Sequence, residues 1–440
     1  MFTFVVRNST KMKSTKFFKI FFITLSVFCF KSQISFSQTT RDWISKNQDY
    51  YTLDIGKRGI YRISYSSMAA SGIPVGTLNP QFIRVFKNGI EQFIYIQGES
   101  DGRFDDTDFI EFYATGNDGF LDTELYKSSS DQPNIYQSLF SDTSTYYLTW
   151  GNTPSNYRMA SFYNNNYLGK TSDTSFMDEK IISFKDYFFQ GIPNQNSSSQ
   201  HFSEYEDGEG FGRWIWASQS EFKLDLPKIH SNGPKAILEV LAHSANHNIG
   251  EISGGYNHNF AVALNSKENV LASSKALGYQ RIQIQVSLEP TDLNESNSLY
   301  IGEKGYPQSA YVLSYIKCKY PRLLNLDETS EYYIQDTFTN SFFHFHNFNQ
   351  TKNSPYIFDL IHHHRVKADK QNDHSIQFNL PQNGPQSFYI FDESDVIPIT
   401  QLKSIKLGQI EINPQTNYLI ITNTKLKSSA EDYKSYRSSN

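Results

Sequence analysis

Residues 281–288, RIQIQVSL, alternate strictly between polar and apolar side chains. Only an extended strand with one face in a core and the other in water satisfies that period of two. Runs of this kind recur along the chain. AYVLSYIKCKY, residues 310–320, is apolar on both faces and predicts a central strand between two layers. Residues 50–64, YYTLDIGKRGIYRIS, read as two strands forming a hairpin around Gly56-Lys57-Arg58-Gly59, followed by a short helix over 65–70 that Gly72 and Pro74 end. Asn88-Gly89 joins Phe82–Phe86 to Ile90–Ile96 as a second hairpin. Further strands are predicted over 109–114 and 146–150. Aromatic and β-branched residues with Asn, Ser and Gly turns favour strands over helices. The fold class expected is mainly β: a small N-terminal β unit over 38–165, then a larger β-sandwich of jelly-roll type over 166–410.

The two ends differ from this body. Lys11, Lys13, Lys16 and Lys19 precede an apolar run over 20–30, too short to span a bilayer, and Ser35-Phe36-Ser37 offers small residues for cleavage before Gln38. Residues 1–37 therefore read as an export signal, with Met12 an alternative start. Their removal takes six basic residues and no acidic one, leaving 34 basic against 45 acidic side chains, which argues against a nucleic-acid partner. Cys29 leaves with the signal, so Cys318 stands without a disulfide partner. At the other end, Tyr418–Thr422 reads as a strand buried on both faces, after a linker near 402–416. A helix follows, with Asn423 or Thr424 as its cap and Leu426, Ala430, Tyr433 and Tyr436 on one face. A strand entering a helix is half of a βαβ unit, and the second parallel strand does not follow. Residues 411–440 are accordingly expected to open a domain that the chain does not complete.

Several residue groups carry candidate chemistry. Asp101, Asp105, Asp106 and Asp108 crowd one turn and could hold Ca²⁺, although their spacing is not that of an EF-hand, and a polar turn is the alternative. His344 and His346 share a predicted strand face, as do His362 and His364; either pair could chelate a metal, but neither has an acidic partner nearby in sequence, so structural histidines are the competing reading. Cys318 lies in an alternating aromatic strand between Lys317 and Lys319, a setting for a buried thiol rather than a nucleophile. Residues 205–216 combine turn glycines, acids and two tryptophans. Trp214 and Trp216, on one strand face, suit either a sugar- or peptide-binding surface or a glycine-rich loop anchored on the sandwich. Ser197-Ser198-Ser199 lies in a polar loop.

Taken together, the export signal, YYTLDIGKRGIYRIS, DGRFDDTDFIEFYATGNDG, EDGEGFGRW, AYVLSYIKCKYPRLL and NYLIITNTKLKSSAEDYKSYRSS follow one another in an order that resembles the sortases of the type IX secretion system, gingipain-like cysteine peptidases of Bacteroidetes. The resemblance covers most of the mature chain, and its last motif is the most specific. It implies a β-rich N-terminal portion followed by an α/β caspase-like peptidase domain, of which 411–440 would be the first strand and helix. The family's catalytic pair is a His followed by Gly and a later Cys. No His here precedes Gly and no Cys follows Cys318, so no catalytic residue carries over, and no cofactor is implied. IFDLIHHHRV, residues 357–366, departs from the more acidic strand and turn of the family. For a whole enzyme, the resemblance implies removal of C-terminal signals from secreted cargo and attachment of the cargo at the cell surface. The implied partners are cargo proteins with C-terminal sorting domains and the outer-membrane components of the secretion system, at the periplasm, outer membrane or surface. Two other readings stand beside it: a secreted, non-enzymatic β-sandwich for adhesion or carbohydrate binding through Trp214 and Trp216, and metal-dependent hydrolysis through the histidine pairs.

Overall fold

A computed structural model of the chain describes residues 43–45, 48–193, 205–246, 256–349, 355–407 and 418–439. The expected export signal, the Ser197–Ser199 loop and most of the linker over 402–416 lie outside them. By its contacts the chain divides at Ser45. The unit from Lys46 onward is mainly β, as the alternating runs predict, with its strands arranged in three sandwich-like groups.

The first group packs two sheets around Leu53, Ile55, Ile63, Val85, Phe112 and Leu148. One sheet runs in the order Lys403–Ile405, Tyr50–Ile55, Ser144–Trp150, Ile83–Lys87, Ile90–Glu91, and the other in the order Ile397–Ile399, Gly59–Ser64, Phe109–Ala114, Tyr95–Gln97. Two hairpin expectations are corrected here. Tyr50–Ile55 and Gly59–Ser64 form strands but lie in opposite sheets, because each pairs along its whole or nearly whole length with a strand from further along the chain: the former with Ser144–Trp150 and the latter with Phe109–Ala114. Asn88 (φ 51°) and Gly89 (φ 81°) do make the tight turn that joins Ile83–Lys87 to Ile90–Glu91. The run through Ile96 is nevertheless not one strand: it leaves that sheet after Glu91, and Tyr95–Gln97 joins the other. The short helix Tyr65–Ala70 forms, with the Ser64 side chain accepting from Ser67 N. Two strands of this group come from far along the chain: Ile397–Ile399 pairs in parallel with Gly59–Ser64, and Lys403–Ile405 pairs antiparallel with Tyr50–Ile55.

The second group is a jelly roll. Its eight strands are, in chain order, Gly210–Trp216, Gln219–Asp225, Ala236–Ser244, His258–Leu264, Val270–Ala276, Arg281–Leu288, Ser296–Glu303 and Ala310–Leu323. The first, eighth, third and sixth form one sheet, and the second, seventh, fourth and fifth form the other. Leu238, Val240, Ile284 and Ile316 of one sheet meet Phe260, Val262, Leu299 and Ile301 of the other. The Arg281–Leu288 strand turns Ile282 and Ile284 inward and leaves Gln283 and Gln285 exposed. The eighth strand is central, with neighbours along both edges: Ala236–Ser244 on one, Gly210–Trp216 and then Ser175–Ser183 on the other.

The third group joins the sheet Glu331–Phe338, Gly384–Asp392, Pro355–Asp359, His364–Lys367, Ala160–Phe162 to the small sheet Phe342–Phe345, Ile376–Asn379, Asp369–Lys370. Its core is aromatic, built on Phe338, Phe343, Phe345, Phe378 and Phe388. At the end of the chain, Lys427–Ser439 is the expected helix, preceded by a single turn over Thr424–Leu426 in which Asn423 Oδ1 accepts from Lys425 N. The strand expected at Tyr418–Thr422 is not formed. Among the described residues no strand pairs with it, and without a ladder its backbone stays irregular, with Leu419 68% and Ile421 89% exposed.

Candidate functional site

The Gly210–Trp216 strand carries its apolar weight on both faces. Ile215, 2% exposed, enters the jelly-roll core, so the pleat sends Trp214 and Trp216 outward, 38% and 53% exposed. Their rings stack at 6.5 Å with only 10° between the planes. Tyr187, on the neighbouring Tyr187–Phe189 strand, extends the row at 5.1 Å from Trp214. Beneath this surface Phe189, Ala245, Ala310 and Val312 form a small buried cluster that fixes the strands. Exposed parallel indoles present a flat apolar platform, able to stack on a sugar face or an extended peptide. Both tryptophans thus lie on one face, as the sequence predicts, and Tyr187 is the member that pattern reading missed, since it comes from a separate short strand.

The glycine-rich loop leading into this strand is braced from below. Glu209 N donates to Glu206 O at 3.0 Å, Gly208 N donates to Asp131 O at 2.8 Å, and the Tyr126 hydroxyl donates to Glu209 O. Gly208 has φ +78° and lies against His243, whose Cδ2 would stand 2.6 Å from any Cβ placed there. His243 is fully buried, with Asp207 Oδ1 3.6 Å from its Nε2, beyond hydrogen-bond reach. Burial pulls the imidazole below its ordinary pKa, and Asp207 opposes that only in part.

In the acidic turn two carboxylates bond to nearby backbone. Asp108 folds inward over Gly98 and accepts from Asp105 N at 2.7 Å, while Asp101 accepts from Arg103 N at 2.8 Å. Two of the four carboxylates are therefore engaged in shaping the turn. Among the described residues, the group whose ligating atoms converge is a different one: His344, His346 and Asp373. His344 and His346 do share a strand face. His362 and His364 do not, because the chain turns between them. His362 Nδ1 lies 2.9 Å from Asp359 Oδ2, His363 (φ 58°) stacks on Phe93, and only His364 enters the strand. Cys318 is fully buried, opposite Leu238 and Lys180, and burial alone pushes its thiol up to about 12. Burial of that kind favours the protonated thiol at neutral pH.

No protein-family model matches the chain, and no curated protein matches it in sequence. Its fold is similar to that of dimeric latent PorU from Porphyromonas gingivalis, with a TM-score of 0.52 and 13% identity over 81% of this chain. The match covers 33% of PorU, so the chain spans about a third of that protein's length. Two carbohydrate-binding modules match about a third of the chain: CBM36, in complex with calcium and xylotriose (7% identity, 32% of this chain, 98% of the module), and the xylan-binding CBM15 (12% identity, 33% and 99%). Each gives a TM-score of 0.19, a likeness too slight to bear on function. The chain therefore has the fold of a PorU-like β-rich region. Among the described residues no helix is long and apolar enough to cross a membrane.

Proposed function

We propose that the chain is the β-rich N-terminal portion of a type IX secretion sortase. The likeness to PorU over four-fifths of the chain carries this reading, and the order of the sequence motifs supports it. Its role is support and docking. It places cargo proteins bearing C-terminal sorting domains, and the outer-membrane secretion components, against the peptidase domain of such an enzyme, at the periplasmic or outer face of the outer membrane. In that domain a thiolate paired with an imidazole attacks the cargo carbonyl, releases the C-terminal signal and leaves an acyl-enzyme that an amine resolves. The chain has no His-Gly pair, and its thiol at Cys318 is buried and protonated, so it supplies no part of that chemistry. Reading the gene and its transcript past codon 440 and deleting the gene in its host test the proposal together. A continuing frame with a His-Gly pair and a later Cys, and cargo that keeps its C-terminal signal in the deletion strain, are expected. Normal cargo processing in that strain would overturn it.

A second reading rests on the stacked, outward Trp214 and Trp216: a secreted, non-enzymatic module that binds carbohydrate or another surface ligand. It predicts glycan-array binding that disappears in the Trp214→Ala/Trp216→Ala double variant, and an array without signal rules it out for glycans.

A further inference from the structure

The third group of strands gives His344 and His346 what their sequence surroundings lack. Phe343 and Phe345 are fully buried in its aromatic core, so the pleat turns the two histidines to the opposite face, with their rings 4.4 Å apart. Antiparallel pairing sets His344 opposite Gln377 and Phe345 opposite Ile376. That register brings the turn before Ile376, and with it Asp373, beside the pair. One ligating atom from each of His344, His346 and Asp373 lies within 4.8 Å of the other two.

We infer that these three residues bind a divalent transition-metal ion of the zinc class. Two imidazoles and one carboxylate suit Zn²⁺, Co²⁺ or Ni²⁺, whereas Ca²⁺ and Mg²⁺ seek oxygen ligands. The surroundings prepare the donors. The hydroxyl of Ser375, a buried residue, donates its single proton to Asp373 Oδ1 at 2.6 Å and must then accept from His344 Nε2 at 2.9 Å. One hydroxyl thus touches both the His344 ring and the Asp373 carboxylate and holds the two in place beside each other, as outer-shell groups do at metal sites. The backbone of His346 is fixed on both sides, its N–H donating to Leu324 O and its carbonyl accepting from Leu326 N, each at 2.9 Å. His346 and Asp373 are exposed, giving an ion a path from solvent, and three protein ligands leave positions for water or an outside group.

Titration of Zn²⁺ into the full, chelator-treated chain tests the site. One ion per chain is expected, not displaced by excess Ca²⁺ or Mg²⁺. Binding should be lost in His346→Ala and in Asp373→Asn, weakened about tenfold in Ser375→Ala, and unchanged in His362→Ala. The two ligand positions are exposed, so both variants should keep the wild-type melting transition. If either fails to fold, Co²⁺ added to the wild-type chain decides: d–d bands of a nitrogen-ligated ion support the site, and the spectrum of the hydrated ion refutes it. Absence of saturable Zn²⁺ binding, or binding that survives both ligand substitutions, would overturn the assignment.

Discussion

Glu111 carries a fully buried carboxylate in the first group of strands, held by two arginines. Arg62 Nε and Arg365 Nε each donate to it at 2.9 Å, one to each oxygen, and Arg365 is itself packed over the rings of Tyr95 and Tyr356. Because Arg365 belongs to the third group, the cluster joins two groups. Glu111→Ala leaves the buried Arg365 without its counter-charge, while Arg62 keeps Glu393 at 3.1 Å, and should cost about 3–5 kcal/mol in denaturant unfolding. His243 makes stability depend on pH. The unfolded chain takes up its proton near pH 6.5, while burial keeps the folded imidazole neutral to lower pH. The contribution of this group is complete above pH 6.5 and is lost as pH falls below it. The drop in melting temperature between about pH 6.5 and 5 should therefore shrink in His243→Gln, and an unchanged slope would remove His243 as its source. Cys318, with its thiol near 12, should resist thiol reagents at pH 8 in the native chain and react on unfolding; native-state labelling would contradict its burial. None of these pairings could be read locally. Glu111 and Arg365, or His344 and Asp373, are brought together by strand register, and a single sequence carries no sign of register between distant strands.

At the level of single elements, local pattern served well wherever the period was unbroken. Arg281–Leu288 and Ala310–Leu323 lie where their alternation and their two-faced apolarity place them. The outward pair Trp214 and Trp216 follows from the same rule, since residues two apart share a strand face. Pattern failed where the chain changes sheets, as between Tyr50–Ile55 and Gly59–Ser64, because alternation shows that a strand exists but not what it pairs with. It failed again at Tyr418–Thr422, where apolar composition alone cannot supply a neighbouring strand. Tyr418, Leu419 and Ile421 remain exposed there, and exposed apolar side chains of this kind favour association between chains. Ile421→Lys is expected to leave the melting temperature unchanged and to lower concentration-dependent light scattering. Gly98 has φ +82°, and a side chain there would overlap the Asp108 carboxylate. Gly98→Ala should destabilise the first group by more than about 1 kcal/mol, measured by chemical denaturation.

For the molecule as a whole, a mainly β character and a jelly roll were legible from repeated strands and polar turns. The way the groups share segments was not. Ala160–Phe162 serves the third group, while Ile397–Ile399 and Lys403–Ile405 serve the first, and Leu402 between them is 4% exposed in the first core. A chain ending at residue 396 should therefore lose hydrogen-exchange protection across Tyr50–Ile55 and Gly59–Ser64 while the jelly roll keeps its own. Equal protection in both would show that the returning strands are dispensable.

That return also sets a timetable. Residues 50–150 are the first of the described sheets to be made, yet two of their edges stay open until residues 397–405 arrive about 250 residues later. At typical synthesis rates the delay is roughly 13–50 s. Through that interval the opening strands are incomplete and must either wait, bind a chaperone or pair wrongly. The first of these sheet groups to begin is thus the last to close, and anything that pauses the chain before residue 397 puts its N-terminal sandwich at risk.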